Sequence, residues 1–396
     1  MRSKSIRFHF SRAFSLFSLV TLAACANSGE KTFLPVVAKV GAEVKAISSE
    51  DAKTVCQANY CEDNQVYVAH FGRRHHDDPP PAPPPANPGV SPTTPPYVAP
   101  PQPSEQLDYS RSILNVSSAW AITEGSPDVI VAVIDSGVDY FHPDLKGNIA
   151  TNAPAAPGFS GDTYGYDFYH NRPNAWDDNG HGTHCSGIIA AAKNGIGVRG
   201  IAPNVKVLPV KFLGPDGSGD TADAVRAIDY AVARGAKILS NSWGGGGYSQ
   251  LLDDAIQRAI NKGVIFVAAA GNNSSDNDVM PNYPANYPGV LSVGSSDAMD
   301  LRSSFSNYGN ASVEVFAPGT SIVSTYPGGG YKSLSGTSMA TPQVSGALAL
   351  ALSANPGLTR DQATQALCDS AVGRLTDVSK CGRMDVGALV RRVSGR

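Results

Sequence analysis

The chain is short of charge of either sign. Lys and Arg number 31 against 34 Asp and Glu, a net charge of −3 and a charged fraction of 16% over 396 residues. Phosphate binding needs a clustered basic face, so this balance excludes nucleic acid as the main partner. No uninterrupted apolar run reaches the roughly 18 residues of a membrane span, which excludes a multi-span membrane protein. Glycine (40) and proline (29) are plentiful but lack an every-third-residue period, which excludes collagen. The hydrophobic content is 42%, ample for a core and too high for a disordered chain. At about 100–200 residues per domain, the length allows two or three domains, or one large α/β domain with appendages.

The first residues read as an address. Arg2, Lys4, Arg7 and Arg12 precede a short apolar stretch over 13–24, too short to cross a bilayer. The stretch ends in Leu22-Ala23-Ala24-Cys25, which resembles the lipobox of bacterial lipoproteins. That resemblance implies a signal peptide over 1–24 and an acylated (palmitate-type) Cys25 at the mature N-terminus. It places the protein in the bacterial cell envelope, held to a membrane by several acyl chains on one residue. An ordinary signal peptide with a chance cysteine is the plainer alternative. Export permits disulfides. Connectivity does not follow from sequence, but Cys56–Cys61 and Cys368–Cys381 are the economical local pairs, and they leave Cys185 as a free thiol.

Composition divides the rest. Residues 25–78 form a small region with apolar segments at Phe33–Val40 and near Val66–Phe71. Residues 79–103 hold thirteen of the prolines, a linker composition that favours extended polyproline II. From 104 to 396 strand and helix patterns alternate. Val129–Asp135, Lys206–Leu213, Lys237–Trp243, Val264–Gly271 and Val290–Gly294 are short, apolar on both faces and rich in β-branched residues, as buried parallel strands are. Thr221–Ala236 and Leu251–Lys262 read as helices between them. The alternation predicts an α/β fold with a mostly parallel sheet and helices on both faces. Functional groups then gather at the carboxyl ends of the strands.

Three motifs carry reactive groups. Asp135 ends the strand Val133-Ile134-Asp135-Ser136-Gly137. His181 lies among small residues in Asn179-Gly180-His181-Gly182-Thr183-His184-Cys185. Ser338 lies in Gly336-Thr337-Ser338-Met339-Ala340-Thr341-Pro342, where Pro342 is expected in the first turn of a helix. Singly these are a metal- or ribose-binding acid, a pair of metal ligands and an N-cap serine. Together, in the chain order Asp, His, Ser, they resemble the subtilisin-like serine proteases, the subtilases (peptidase S8). The resemblance extends over about 115–390 and implies a three-layer α/β/α fold. It also implies a serine endopeptidase acting on proteins or peptides through an acyl-enzyme.

The chemistry gives each residue a place. Ser338 is the expected nucleophile, His181 its general base and Asp135 the partner that holds the imidazole in one tautomer. Asn272, in Val267-Ala268-Ala269-Ala270-Gly271-Asn272, resembles the family's oxyanion-hole residue. Gly217, Ser218, Gly219 and Ser242, Trp243, Gly244 resemble the two segments that bracket the substrate. Trp243 stands where many members have Leu, and it should reshape an apolar subsite wall. Gln343 and Ser345 stand where the family usually has His and Ala. His184 is expected to be structural and Asp178 a solvated loop acid. Asp276 and Asp278 are candidates for an acid in the primary specificity pocket. Cys185, four residues after His181, is expected on the same helix face.

By resemblance, a structural Ca2+ would be bound by Asp144, the Asn194 side chain and the backbone carbonyls of Ala192, Ile196 and Val198. All are oxygen donors, as a hard cation requires. The family's N-terminal calcium ligand is not identifiable from the sequence. Residues 25–78 are a possible propeptide, shorter than the family's and set apart by the linker. The rival reading is a non-catalytic surface lipoprotein, an adhesin or binding module on a degenerate protease fold. All four expected catalytic positions are filled, which argues against it.

Overall fold

The computed structural model describes residues 34–40, 43–57, 60–69, 101–151 and 153–395. The signal segment, Cys25 and most of the Pro-rich linker lie outside them. The N-terminal part contains strands β1 (Val36–Val40) and β2 (Glu43–Ile47), helix α1 (Ser49–Val55), and strands β3 (Tyr60–Asp63) and β4 (Val66–Ala69). β1 pairs antiparallel with both β2 and β3. Ser48 caps α1 by accepting from Asp51 N. Cys56 and Cys61 are joined, tying the end of α1 to β3.

Helices α2 (Tyr109–Ile113) and α3 (Val116–Trp120) lead into β5 (Ile130–Asp135). Then come β6 (Tyr166–Asp167), β7 (Arg172–Pro173), α4 (His181–Ala190), β8 (Lys206–Lys211), β9 (Ser218–Asp220) and α5 (Thr221–Ala233). They are followed by β10 (Ile238–Asn241), β11 (Trp243–Gly244), α6 (Gln250–Asn261), β12 (Ile265–Ala269), β13 (Leu291–Ser296) and β14 (Val315–Pro318). A hairpin of β15 (Ile322–Tyr326) and β16 (Gly330–Leu334) precedes α7 (Thr337–Ala354), α8 (Arg360–Asp369) and α9 (Val386–Ser394). The central sheet runs β14-β13-β12-β10-β5-β8-β6-β7 and is parallel except for β7.

The strand sequences explain the layers. Side chains alternate along a strand, and here both faces are covered. Val131 and Val133 of β5 enter the core beneath α4, α7 and α9, together with Ile238, Ile265 and Val267. Ala132 and Ile134 enter the opposite core beneath α5 and α6, with Leu208, Leu239 and Phe266. Two cores on one sheet make the three-layer α/β/α fold. The helices begin where the sequence supplies caps: Asp220 accepts from Asp223 N, Ser249 from Leu252 N, and Thr359 forms a capping box with Gln362. Cys368 and Cys381 are joined, and Cys185 is free and buried.

A buried guanidinium ties the start of the domain to α7. Arg111 Nε and Nη2 donate to Arg199 O at 3.1 and 2.9 Å. Its Nη1 donates to Gln343 Oε1 at 2.9 Å and Ser110 Oγ at 2.8 Å. Gln343, on α7, therefore has a partner where the family's usual histidine is missing. Ser345 donates to Ser240 Oγ at 2.9 Å, so its hydroxyl is also satisfied. Removing one member of such a buried set strands the others. Arg111→Ala is expected to destabilise the fold by about 3 kcal/mol. The check is denaturant unfolding in a Ser338→Ala background, which prevents self-digestion.

Candidate active site

The parallel sheet brings the ends of β5 and the starts of α4 and α7 to one edge. Asp135 is the last residue of β5 and is fully buried; His181 is the first residue of α4. Asp135 Oδ1 lies 2.8 Å from His181 Nδ1 and accepts from Ser136 N at 2.7 Å. The residue after the histidine has to be small. A Cβ at Gly182 would lie 2.1 Å from Gly137 O and 3.2 Å from Asp135 Cβ.

α4 has no side-chain cap from its neighbour Gly180. Asp177 takes that role from a distance. Its carboxylate accepts from Asn179 N (3.0 Å), Gly180 N (2.8 Å), Thr183 N (2.9 Å), Thr183 Oγ1 (2.6 Å) and Ser136 Oγ (2.9 Å). Sequence reasoning missed Asp177; an acid a few residues before a helix start was the available signal. Asp178 departs from the expectation of a solvated acid. It is an ion-pair partner of Lys211, whose fully buried ammonium donates to Asp178 Oδ1 (2.8 Å), Ser136 O (2.8 Å) and Leu213 O (2.5 Å). The charge on β8, out of view in the local motif, decides its environment.

Ser338 is the second residue of α7. Pro342 falls in the second turn, not the first, and stands four residues after Ser338. It has no N–H to give to the Ser338 carbonyl. That carbonyl instead accepts from Ser242 Oγ at 3.0 Å and Cys185 Sγ at 3.5 Å. Ser338 Oγ donates to Ser242 O at 2.8 Å, so its proton must swing from that carbonyl to reach a base. Cys185 Sγ lies 4.0 Å from His181 Nδ1, one helical turn on as the spacing predicts. His184 is buried on carbonyls of the β15–β16 hairpin, Ile322 O and Lys332 O, and burial lowers its pKa to about 3; it is structural.

Asn272 is fixed in one sense. Its Oδ1 accepts from Thr337 N (2.9 Å) and Thr337 Oγ1 (2.8 Å), so the amide nitrogen faces the other way. That Nδ2 is buried with no hydrogen-bond partner among the described residues. A preset donor of this kind beside a serine suits a developing oxyanion. Asp278 is bound by Ala311 N (3.0 Å to Oδ2), and Asp276 Oδ1 caps Asp278 N at 2.9 Å. Asp276 is engaged within its own loop and Asp278 with the turn at Ala311.

The two expected substrate segments flank a third strand. β4 of the N-terminal part pairs antiparallel with β9 on one side and β11 on the other. Ala69 N donates to Gly217 O at 3.0 Å. Glu62, on β3, accepts from Ser249 Oγ and from Gln250 N (2.9 Å), at the N-terminus of α6. Sequence reasoning placed no strand in the cleft.

Asp144 and the 192–198 loop also come together. Asp144 Oδ1 accepts from Asn194 Nδ2 (3.0 Å), and Oδ2 accepts from Val198 N (3.1 Å) and lies 2.9 Å from Tyr331 OH. Tyr331 OH lies equally close, 2.8 Å, to Gln102 Oε1. One hydroxyl proton faces two acceptor oxygens, and the surplus of acceptors fits a hard cation. Gln102 falls within the stretch that composition assigns to the linker, and the sequence did not identify it. Pro103 O accepts from Gly197 N at 2.8 Å, so this stretch already packs on the domain.

A buried Asp–His pair, a serine at the start of α7 and an oriented amide donor on a parallel α/β/α fold are the parts from which serine endopeptidases are built. The Subtilase family profile (Peptidase_S8) matches residues 126–385, and the chain belongs to that family. It is 45% identical over 233 residues to a thermophilic serine proteinase of Bacillus sp. (strain AK1), covering 59% of this chain and 54% of that protein. It is 43% identical over 243 residues to thermitase of Thermoactinomyces vulgaris, covering 61% of this chain and 81% of that protein. Subtilisin DY of Bacillus licheniformis is 38% identical over 269 residues, covering 68% and 92%. The chain thus spans about half the length of the first of these relatives.

Burial disfavours the His181 imidazolium, but the Asp135 carboxylate and the contact with Cys185 outweigh it, and the ring's pKa stands well above its ordinary 6.5. A general base must be neutral, so activity is lost as pH falls through that raised pKa. The acid limb of kcat/KM is expected above pH 6.5. Asp135→Asn should move the limb down and cost about 10⁴ in kcat. A pH–rate profile of the two proteins checks both.

Proposed function

We propose that the protein is an exported, lipid-anchored serine endopeptidase of the bacterial envelope. Ser338 Oγ attacks the scissile carbonyl while His181 takes its proton and passes it to the leaving amine. Asp135 holds the imidazole and stabilises its charge. Asn272 Nδ2 and the Ser338 N–H at the start of α7 receive the oxyanion. The acyl-enzyme is then hydrolysed by water with the same base. The observation that carries this reading is the oriented Asn272 amide, its buried Nδ2 without a hydrogen-bond partner among the described residues, held on Thr337 next to Ser338. The envelope location rests on the basic n-region and Leu22-Ala23-Ala24-Cys25.

Substrates lie extended between Gly217–Gly219 and Ser242–Gly244, in the manner of β4. The N-terminal segment thereby holds the cleft as a product-like strand, a propeptide-type inhibitor that stays joined through the linker. A calcium ion is held by Asp144, Gln102, the carbonyls of Ala192, Ile196 and Val198, and the Asn194 side-chain oxygen once its amide turns over from the bond its nitrogen gives Asp144. It braces the α4–β8 loop against the hairpin before Ser338, which meet through Asp144 and Tyr331, and takes no part in bond cleavage.

Ser338→Ala should lower kcat by about 10⁶, and Asn272→Ala by about 10²–10³. Retention of more than a percent of peptidase activity in Ser338→Ala would overturn the assignment. Intact mass of the mature Ser338→Ala protein reads the acyl chains; an unmodified Cys25 rules out the anchor. Melting of the same variant should rise with calcium by an amount equivalent to about 2.7 kcal/mol at a hundredfold excess over Kd. An unchanged midpoint with calcium and with chelator removes the ion.

A further inference from the structure

The part of the chain that fills the cleft has little core of its own. Among the described residues of 34–69, the buried apolar side chains are Val37, Ala38, Ile47 and Tyr67. Two of them serve the peptidase domain instead: Val37 and Tyr67 join the core beneath α5 and α6. Tyr67, on β4, meets the Trp243 ring edge-on with centroids 5.3 Å apart. A unit this small rarely holds its shape by burial alone and needs a covalent staple.

The Cys56–Cys61 disulfide is that staple. It joins the C-cap of α1 to the second residue of β3. Cys61 lies opposite Ala38 on β1, and the next residue, Glu62, lies opposite Val37. Glu62 also accepts from Ser249 Oγ and, at 2.9 Å, from Gln250 N, where α6 begins. Two residues after β3 the chain enters β4, which pairs with β9 through Val66–Val68 and with β11 through Val68 and Ala69. One bond thus supports α1, β3, the Glu62 contact and the strand in the cleft in succession. Both cysteines are half-buried, within reach of a small thiol.

We propose that the Cys56–Cys61 disulfide is a redox latch on the active site: a dithiol that reduces it loosens β3 and β4 and opens the cleft to substrate. The proposal rests on the reading that β4 occupies the substrate's place. One thiolate of the dithiol attacks a sulfur of the pair, forms a mixed disulfide and releases the other cysteine, which takes up a proton. The second thiol of the reagent then displaces the remaining cysteine. The protein disulfide gains two electrons and two protons, and the dithiol leaves as its cyclic disulfide. Cys185, beside His181, is already a thiol and takes no part. A disulfide stabilises chiefly by restricting the opened chain, so breaking it raises the open fraction. The apparent affinity for substrate rises with that fraction.

The test uses the full chain as Ser338→Ala, which binds a fluorescently labelled peptide substrate without cutting it or itself. Dithiothreitol should lower the apparent Kd of the peptide by about 10- to 100-fold. Adding Cys56→Ser and Cys61→Ser, with Cys368–Cys381 kept, should give the lowered Kd without reagent and no further response. An unchanged Kd in the parent, with reduction verified by alkylation and intact mass, overturns the latch. So does an equal response in the double-serine variant. The reading of β4 is tested separately by Tyr67→Ala, which should tighten peptide binding with the disulfide intact. Tighter binding there with no response to dithiothreitol sinks the latch and leaves β4 in the cleft. A Kd moved by neither change sinks the β4 reading and the latch with it.

Discussion

Everything at the catalytic edge depends on keeping the Asp135 and His181 side chains paired and out of water. Both side chains are fully out of water. Desolvating a carboxylate costs several kcal/mol, and the attraction to a partner offsets this only when geometry and remaining hydrogen bonds are right. The surrounding residues meet that condition. Ser136 N donates to Asp135 directly. Asp177 gathers five donors and holds Ser136 and the first turn of α4 in place. Lys211 sits beneath the same turn with its ammonium saturated by two carbonyls and Asp178. Small residues such as Gly182 are demanded by the close approach of helix to strand.

The serine is placed by a subtraction. Pro342 withholds one helix hydrogen bond, and the freed Ser338 carbonyl is claimed by Ser242 and Cys185. The nucleophile is therefore held on one side by the strand that also forms the cleft wall and on the other by the helix that bears His181. Bond formation in the substrate cleft and alignment of the triad share atoms.

Much of this was legible from residue order. Strands β5, β8, β10, β12 and β13 were readable because both faces are buried, which leaves unbroken apolar runs. The reactive residues were readable because each is embedded in small residues that close packing requires. The Cys56–Cys61 and Cys368–Cys381 pairs agree with sequence proximity. What escaped depends on partners far along the chain. Asp178 looked solvated because Lys211 is on another strand. Gln102 was hidden in a proline-rich composition. β4 joins Gly217–Gly219 and Trp243–Gly244 through backbone hydrogen bonds, and main-chain pairing leaves little trace in side-chain identity.

The strand in the cleft and the cleft itself belong to one covalent chain, joined by residues 70–100. Its occupancy is therefore set by an effective local concentration and not by how much protein is present. Diluting the protein leaves that balance untouched. If substrates bind as proposed above, they compete with a neighbour carried on the same chain, and a single cut within residues 70–100 would let that neighbour leave for good.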